Sequence, residues 1–487
     1  MIRDYALKFR AWDFKSRTPH FFWFLIALAS GVLIALLPPE YAAGLFLGGA
    51  VLVLTVWEPM LGLGVALALG PSRAYLAAQG FYGPQYDLGQ IFFGLAAFGW
   101  LARGALRREI HFPRLGVYAP LAAYIFTGAL SLYNAREWQN GLNELIKWTE
   151  VGVVIAMVYA EARRGKLRWV LGAVLCTGIL QAALGLWQYR FWEEGPEGFR
   201  LPGGYFRAYG TFEQPNPYAG FLGLIWPVAA GLALSQWPMA SDWLKRRLPI
   251  FSSVFFLLIA ALCLAGLYVS FSRGAWLGAG VAGLTLLIFW PRRLSLGIGL
   301  VSMALVGGWL LFQAGLLPAS ISQRLASVTD FMNVSDVRGV NINDVNFALV
   351  ERLAHWQAAQ GMIEAHPWLG VGLGNFSGAY PEYSLLRWPT NRGHAHNIYL
   401  HTWAETGLLG LIAYVSFWAY VIILTFWTVR RTTGWQRGLA LGLLGVWAHL
   451  LTHHLVDNLH VNNNDLLLAA QIGLLHAIIP HRNHSLD

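Results

Sequence analysis

The stretch Arg392–Gly410, RGHAHNIYLHTWAETGLLG, contains both the start of a predicted membrane helix and a group of candidate functional residues. An arginine, two histidines and an asparagine stand just before a run that becomes apolar after Glu405. Charged and imidazole side chains at a membrane boundary are costly unless they have partners, and in membrane proteins such residues mark functional sites. The stretch therefore predicts a polar site at the point where a loop ends and a membrane helix begins.

The composition predicts an all-α, polytopic integral membrane protein. Of 487 residues, 56% are hydrophobic and only 12% are charged, whereas soluble domains average about 25% charged residues. Apolar runs of roughly 17–23 residues, the length that crosses a bilayer, recur along the chain. The net charge of +9 lies in short clusters between these runs, so we expect membrane lipids as partners and no nucleic acid.

Arginine and lysine clusters occupy every second connection, which by the positive-inside rule places both ends of the chain in the cytoplasm. The first apolar run lacks a small-residue cleavage site after it, so we do not expect it to be a signal peptide. Roughly fourteen spans are predicted, or about twelve if two short N-terminal segments are re-entrant or interfacial. The predicted spans are 21–37, 41–57, 60–79, 88–102, 117–134, 142–160, 168–188, 218–236, 249–270, 275–290, 294–316, 403–429, 438–456 and 465–480.

The spans divide the chain into three parts. Residues 1–316 form the N-terminal transmembrane helices, 317–395 a large external loop, and 396–487 the C-terminal transmembrane helices. Apolar residues three and four apart predict a helix in the middle of the loop, which Pro367 and the glycines that follow should end.

All cations predicted outside are arginines, and guanidinium groups bind phosphate in a bidentate manner. The whole chain also favours arginine over lysine, so composition alone explains this equally well. The external arginines are Arg73, Arg136, Arg190, Arg200, Arg207, Arg273, Arg324, Arg338, Arg352, Arg387 and Arg392.

Position singles out two of these arginines. Arg207 precedes a span that begins at a Pro-Asn-Pro turn, and Arg273 lies in a tight turn between two apolar helices. Such an arginine needs an acidic or phosphate partner, or it must extend to lipid head groups. Arg352 is a weaker candidate because Glu351 or surface water could satisfy it.

His396 is the best candidate for a general base, because a neutral imidazole accepts a proton near neutral pH. A helix-capping or buried hydrogen-bonding histidine is the alternative. His394 and Asn397 are secondary candidates, and His401 with Glu405, four residues apart, is better explained as a structural pair.

Metal ligation is a weaker reading of the histidines. The HAH sequence and the group His449, His453, His454, Asp457 and His460 offer ligands, yet HExxH and CxxC spacings are absent. We therefore expect no metal and no cofactor. Glu144, Lys147 and Glu150 lie inside a span and should neutralise one another.

Four stretches resemble the O-antigen ligase and Wzy polymerase superfamily: RAYGTFEQPNPYAG, FSRGAW, RLAHWQAAQGMIEAHPWLGVGLGNF and HAHNIYLHTWAETGLLG. They span roughly residues 200–425, whereas the N-terminal spans are similar only in hydropathy. The resemblance implies an inner-membrane glycosyltransferase of GT-C-like architecture with a periplasmic active site. It implies metal-independent, inverting transfer of O-antigen from undecaprenyl diphosphate to lipid A–core oligosaccharide.

The resemblance also implies roles for individual residues. Arg207 and Arg273 match arginines that hold the donor diphosphate, and His396 matches the histidine that activates the acceptor hydroxyl. Arg352 and Arg392 would add positive charge. The external loops contain no DxD motif, so cationic side chains would have to stabilise the leaving diphosphate.

Several functions share these features. A Wzy-type polymerase and a protein O-oligosaccharyltransferase would use the same kind of donor. A transporter or flippase for an anionic polyprenyl lipid belongs to a different class and requires charges along a central path. In this sequence only Glu144, Lys147 and Glu150 lie deep, which favours an enzyme over a transporter.

Overall fold

The structure is a computed structural model, and it describes residues 39–83, 87–109, 112–192, 196–201, 204–236, 243–316, 336–343 and 346–480. Within these ranges the backbone forms helices and loops, and the only extended pairing is an isolated bridge between Arg200 and Phe206. The predicted span 21–37 and Arg324 lie outside the described residues.

The helices follow one another along the chain with short connections, apart from the long segment between Gln313 and Ile398. They are α1 Pro39–Trp57, α2 Pro59–Leu69, α3 Ser72–Ala78, α4 Leu88–Arg107, α5 Tyr118–Ser131, α6 Trp138–Glu161, α7 Leu167–Phe191, α8 Pro215–Gly223, α9 Trp226–Gln236, α10 Trp243–Tyr268, α11 Arg273–Phe289, α12 Leu294–Gln313, α13 Phe347–Ala365, α14 Phe376–Tyr383, α15 Ile398–Arg431, α16 Gly434–His453 and α17 Asn464–Ile478.

The prediction of an all-α, polytopic membrane protein is confirmed. Among the described residues, five helical segments are long and apolar enough to cross a membrane, or six if one bent pair counts as a span. These five are Trp138–Phe191, Pro215–Ser235, Phe251–Tyr268, Leu294–Gln313 and Ile398–Arg431. The first contains two predicted spans separated by a break at Gly165, and α11 and α17 are shorter apolar helices at predicted spans. The total of 12–14 spans stays a prediction.

The bent pair is α2 and α3, whose axes differ by 47°. The bend falls at Pro71, inside the predicted span 60–79, because proline lacks the N–H group that a continuous helix needs. Arg73 in α3 pairs with Asp87, the N-cap of α4, at 3.3 Å. This geometry favours the reading of the segment as a broken or re-entrant helix.

Close helix packing in the bundle depends on glycines. A Cβ atom on Gly231 of α9 would overlap the carbonyl oxygen of Gly438 and lie 2.5 Å from the backbone nitrogen of Gly442, both in α16. Lipid chains are as apolar as leucine side chains, so helices in a bilayer associate through such close van der Waals contact. The pairing of α9 with α16 holds one end of the helix that leads to the candidate site.

The helix predicted in the external loop is confirmed as α13. It ends at Ala365, and the residues after Pro367 form a turn that leads into α14. Gly370 has φ of +68°, and a Cβ atom there would collide with the backbone of Glu405 in α15. The glycines thus let the loop lie directly against α15.

We predict that Gly231→Ala lowers the stability of the protein by about 1–3 kcal/mol, because the added methyl group forces α9 and α16 apart. Gly280→Ala in α11 is the matched control, since its Cβ would meet nothing within 4 Å. Thermal unfolding of both variants in detergent measures the difference. Equal melting temperatures for the two variants would contradict the packing described here.

Candidate active site

The candidate site begins at the first turn of α15. Asn397 is the N-cap residue, and its side-chain oxygen accepts hydrogen bonds from the backbone N–H groups of Tyr399 at 3.0 Å and Leu400 at 3.1 Å. A cap of this kind satisfies N–H groups that the helix itself leaves without acceptors. The structure therefore gives Asn397, a secondary candidate for function, a clear structural role.

His396 immediately precedes this cap in a left-handed backbone conformation, with φ of +52°. Residues other than glycine adopt this conformation rarely, and they often do so at functional sites. The next helical residue, Ile398, donates its backbone N–H to the carbonyl oxygen of His454 at 3.0 Å. This bond places the start of α15 against the end of α16.

The contact between the two helix ends brings His396 to Asp457. The Nδ1 atom of His396 lies 3.6 Å from Oδ1 of Asp457, and neither ring nitrogen has a hydrogen-bond partner among the described residues. Asp457 is buried and accepts the N–H of Asn458 at 2.9 Å. Burial alone would raise the pKa of Asp457, but the nearby rings of His396 and His394 and the positive charge of Arg352 hold it well below its usual range.

Sequence reasoning named Asp457 only as one possible metal ligand. No spacing rule links a residue after α16 to a histidine before α15, so only the fold shows that they meet. The available signal was a lone carboxylate among histidines at the end of an apolar span.

His394 supports the same carboxylate from a second direction. Its Nδ1 accepts the backbone N–H of His396 at 3.0 Å, and its Nε2 lies 4.0 Å from Oδ1 of Asp457. Burial lowers the pKa of His394 to about 3, so the ring is neutral near pH 7. Because Nδ1 accepts a hydrogen bond, the proton of the neutral ring is on Nε2, which points its N–H toward Asp457.

This tautomer bears on metal binding. One ligand atom each from His394, His396 and Asp457 lies within 4.8 Å of the others, which is close enough to hold an ion. A nitrogen that carries a proton has no lone pair for a metal, so His394 Nε2 could ligate only if its ring gave up the bond to His396. The arrangement favours a hydrogen-bonding cluster, and the absence of a metal stays a prediction.

Two arginines lie on the same side of the bundle as this cluster. Arg273 begins α11, where a Cβ atom on the next residue, Gly274, would lie 2.7 Å from the His453 ring. The charge of Arg352, in α13, acts on Arg273, His453 and Asp457. Neither guanidinium has an ion-pair partner among the described residues, so both are available to an anion.

Arg207 lies beside the turn that carries Arg273. Its Nε donates to the carbonyl oxygen of Ser270 at 2.8 Å, and its Nη2 donates to the side chain of Asn216 at 3.3 Å. The neighbouring Ala208 also donates its N–H to Val269 at 3.0 Å. Arg207 therefore fixes the loop between α10 and α11 in addition to any role toward a ligand.

Arg392 differs from the other arginines because it has an acidic partner. Its Nε donates to Oε1 of Glu351 at 2.8 Å, and half of the Arg392 side chain is exposed. We expected Glu351 to be the possible partner of Arg352, but Glu351 pairs with Arg392. The ion pair fastens the segment before α15 to the first turns of α13.

Glu405 holds the loop against α15. Its two carboxylate oxygens accept the backbone N–H groups of Gly374 at 2.9 Å and Phe376 at 2.8 Å. His401 lies 3.6 Å from the same carboxylate, which confirms the predicted structural pair.

The loop aromatics divide into two groups. Tyr380 and Trp388 are buried, and the Tyr380 hydroxyl donates to the Trp388 carbonyl at 2.9 Å, so these two residues belong to the core of the loop. Trp368, by contrast, is 63% exposed.

A chain of polar groups, most of them buried, lies next to the site and begins at His454, after the end of α16. The Tyr414 hydroxyl lies 3.3 Å from Nδ1 of His454 and 3.0 Å from Nε2 of His460. His460 contacts Asp465 at 2.5 Å, and Lys147 lies 4.0 Å from the same residue. Lys147 also pairs with Glu144 at 2.5 Å, as the predicted neutralisation of these two residues requires.

The fold and the site define a multi-pass membrane protein whose polar centre combines a histidine–carboxylate pair with two arginines that have no ion-pair partner in the described part of the chain. Residues 258–415, about a third of the chain, match the family model described as O-antigen ligase. The match supports the O-antigen ligase superfamily and a glycosyl-transfer type of enzyme acting in polysaccharide ligation or polymerisation. It includes Arg273, Arg352 and His396 but not Arg207 or Asp457. A search of curated proteins found no match.

We predict that Glu405→Ala destabilises the loop by about 1–3 kcal/mol for each of the two buried N–H groups that lose their acceptor. Hydrogen exchange should then be faster at Gly374 and Phe376. Glu364→Ala, at an exposed position of α13, is the control and should leave exchange at these amides unchanged. Unaltered protection in Glu405→Ala would show that the carboxylate does not hold the loop.

Proposed function

We propose that the protein is an O-antigen ligase. It transfers O-antigen polysaccharide from undecaprenyl diphosphate to lipid A–core oligosaccharide, on the periplasmic face of the inner membrane, by inverting transfer without a metal. The observation that carries this proposal is the meeting of His396 with Asp457 at a site that Arg273 and Arg352 make positive. A base and a cationic anion site are the two parts that such a transfer needs.

His396 is suited to act as the base through its Nε2 atom. Its Nδ1 faces Asp457, so a proton on Nδ1 points to the carboxylate and leaves the lone pair of Nε2 for the acceptor hydroxyl. The negative charge of Asp457 stabilises the imidazolium that forms when Nε2 takes the proton. The Nε2 atom of His394 lies 4.0 Å from the same carboxylate, so a second imidazole ring faces it.

Arg273 and Arg352 would bind the donor diphosphate. The acceptor oxygen forms a bond to the anomeric carbon while the bond from that carbon to the diphosphate oxygen breaks on the opposite face. The acceptor proton moves to His396. The electron pair of the bond that breaks stays with the leaving undecaprenyl diphosphate, which gains a negative charge. Guanidinium groups already in place stabilise that charge as it develops. Arg207, bound to Ser270 in the preceding turn, keeps Arg273 directed to the site.

Reconstitution with purified components tests the proposal. The protein in liposomes receives lipid-linked O-antigen and lipid A–core, without ATP and in the presence of a chelator. A ligase forms O-antigen linked to lipid A–core under these conditions. Elongation of the lipid-linked glycan itself would identify a polymerase, and transfer only to a peptide acceptor would identify a protein oligosaccharyltransferase. Movement of the lipid across the bilayer without transfer would identify a flippase.

We predict that His396→Ala lowers kcat by about 100- to 10,000-fold, because the acceptor hydroxyl loses its base. Asp457→Asn should lower it by at least about 100-fold, because the imidazolium that forms on His396 loses the negative charge beside it. His366→Ala is the control, because His366 is the C-cap residue of α13 and its ring acts on Glu382 and not on Asp457. Full activity in His396→Ala would refute the assignment.

Substitutions of Arg352, in α13, and of Arg392, in the segment before α15, should differ in their effects. Arg352→Ala removes a free guanidinium from the site and should lower kcat by about 100- to 1,000-fold. Arg392→Ala breaks an ion pair, so it should act like Glu351→Gln and chiefly reduce stability. Kinetics and thermal unfolding of the three variants separate the roles. A larger loss of kcat in Arg392→Ala than in Arg352→Ala would reverse the assignment.

A further inference from the structure

A cavity of about 440 Å³ lies far from the candidate active site. Its walls come from the end of α4, the connection that follows it, and the end of α6. α6 begins near the loop, where Glu137 donates its N–H to Asn375, and its 24 residues extend about 36 Å to the other end. The cavity is therefore close to the opposite membrane face. Its lining residues are Trp100, Leu101, Gly104, Glu109, Pro113, Arg114, Leu115, Tyr159, Ala160 and Arg164.

The surroundings of the cavity are strongly positive. Residues 100–109, 112–116 and 159–166 contain seven arginines and lysines but only two carboxylates. Arg164 pairs with Glu109 and Glu161, each at 2.9 Å, and Lys166 pairs with Glu161 and Glu58, each at 2.8 Å, so these three acids already have cationic partners. Arg114 has no ion-pair partner among the described residues, and Arg103 has a buried Nη2 atom without a hydrogen-bond partner there. The excess positive charge fits an anionic ligand.

An apolar depression adjoins the cavity and shares Pro113, Arg114 and Leu115 with it. Its wall includes Phe112, which is exposed and packs edge-on against Trp100 with ring centres 6.0 Å apart. A charged cavity beside an apolar surface at a membrane boundary matches the two parts of a phospholipid. A soluble anion would use only the first part.

We propose that this cavity binds the phosphate head group of an anionic membrane phospholipid, whose acyl chains follow the depression beside it. Arg114 and Arg164 contact the phosphate, and Trp100 and Tyr159 enclose it. The bound lipid joins the ends of α4 and α6, so it stabilises the protein at the face opposite the candidate active site. This proposal is independent of the transfer reaction.

Native mass spectrometry of the full chain, titrated in detergent with phosphatidylglycerol or phosphatidylcholine, tests the proposal. The Arg273→Ala variant is the background, so that lipid at the candidate active site does not interfere. We expect one phosphatidylglycerol to be retained, with about tenfold weaker binding in Arg114→Gln. Ala160→Leu, which fills the cavity without a change of charge, should weaken binding as well. Arg107→Gln removes a nearby charge outside the cavity wall and should change binding by less than about twofold.

Three outcomes would overturn the proposal. Equal retention of the two lipids would show that charge does not select the ligand. Equal losses in Arg114→Gln and Arg107→Gln would show general attraction to a basic surface. Inorganic phosphate that raises the melting temperature as much as phosphatidylglycerol would identify a soluble anion as the ligand.

Discussion

The hydrogen bond from the N–H of Ile398 to the carbonyl of His454 joins the first turn of α15 to the last turn of α16. Backbone groups inside a membrane protein must find partners within the protein, because lipid offers none. Here the free N–H of one helix start meets the free carbonyl of another helix end. His396 and Asp457 lie next to this bond, and it holds Nδ1 of His396 3.6 Å from Oδ1 of Asp457. The bond therefore positions the histidine–carboxylate pair of the site.

The arginines of the site fall into two groups by their partners. Arg392 is neutralised by Glu351, and Arg207 donates to Ser270 and Asn216, so both hold loops in position. Arg273 and Arg352 act on each other as like charges, which is unfavourable until an anion lies between them. In the proposed reaction, the donor diphosphate would remove that repulsion on binding and would be stabilised further as it becomes the leaving group. Such a site is organised before the reaction begins, which is the arrangement that lowers a barrier most.

Parts of this account could be predicted from the sequence because they depend on local patterns. The apolar spans, the helix α13 with its end before Pro367, and the pairing of His401 with Glu405 all follow from spacing along one helix. The meeting of His396 with Asp457 depends instead on the packing of α15 against α16, which no local pattern reports. The sequence offered Glu351 or water as a partner for Arg352, and it could not show that Glu351 instead pairs with Arg392, because that contact is made across the loop.

The central proposal is that Arg273 and Arg352 bind the donor diphosphate beside the imidazole of His396, which takes the proton of the acceptor hydroxyl. A cryo-EM structure of the protein with a polyprenyl diphosphate bound tests this most directly. The account predicts phosphate oxygens at about 2.7–3.2 Å from the guanidinium groups of Arg273 and Arg352, with the ring of His396 facing the adjacent space where the anomeric carbon would lie. A diphosphate bound at the opposite membrane face, or separated from His396 by packed helices, would contradict it.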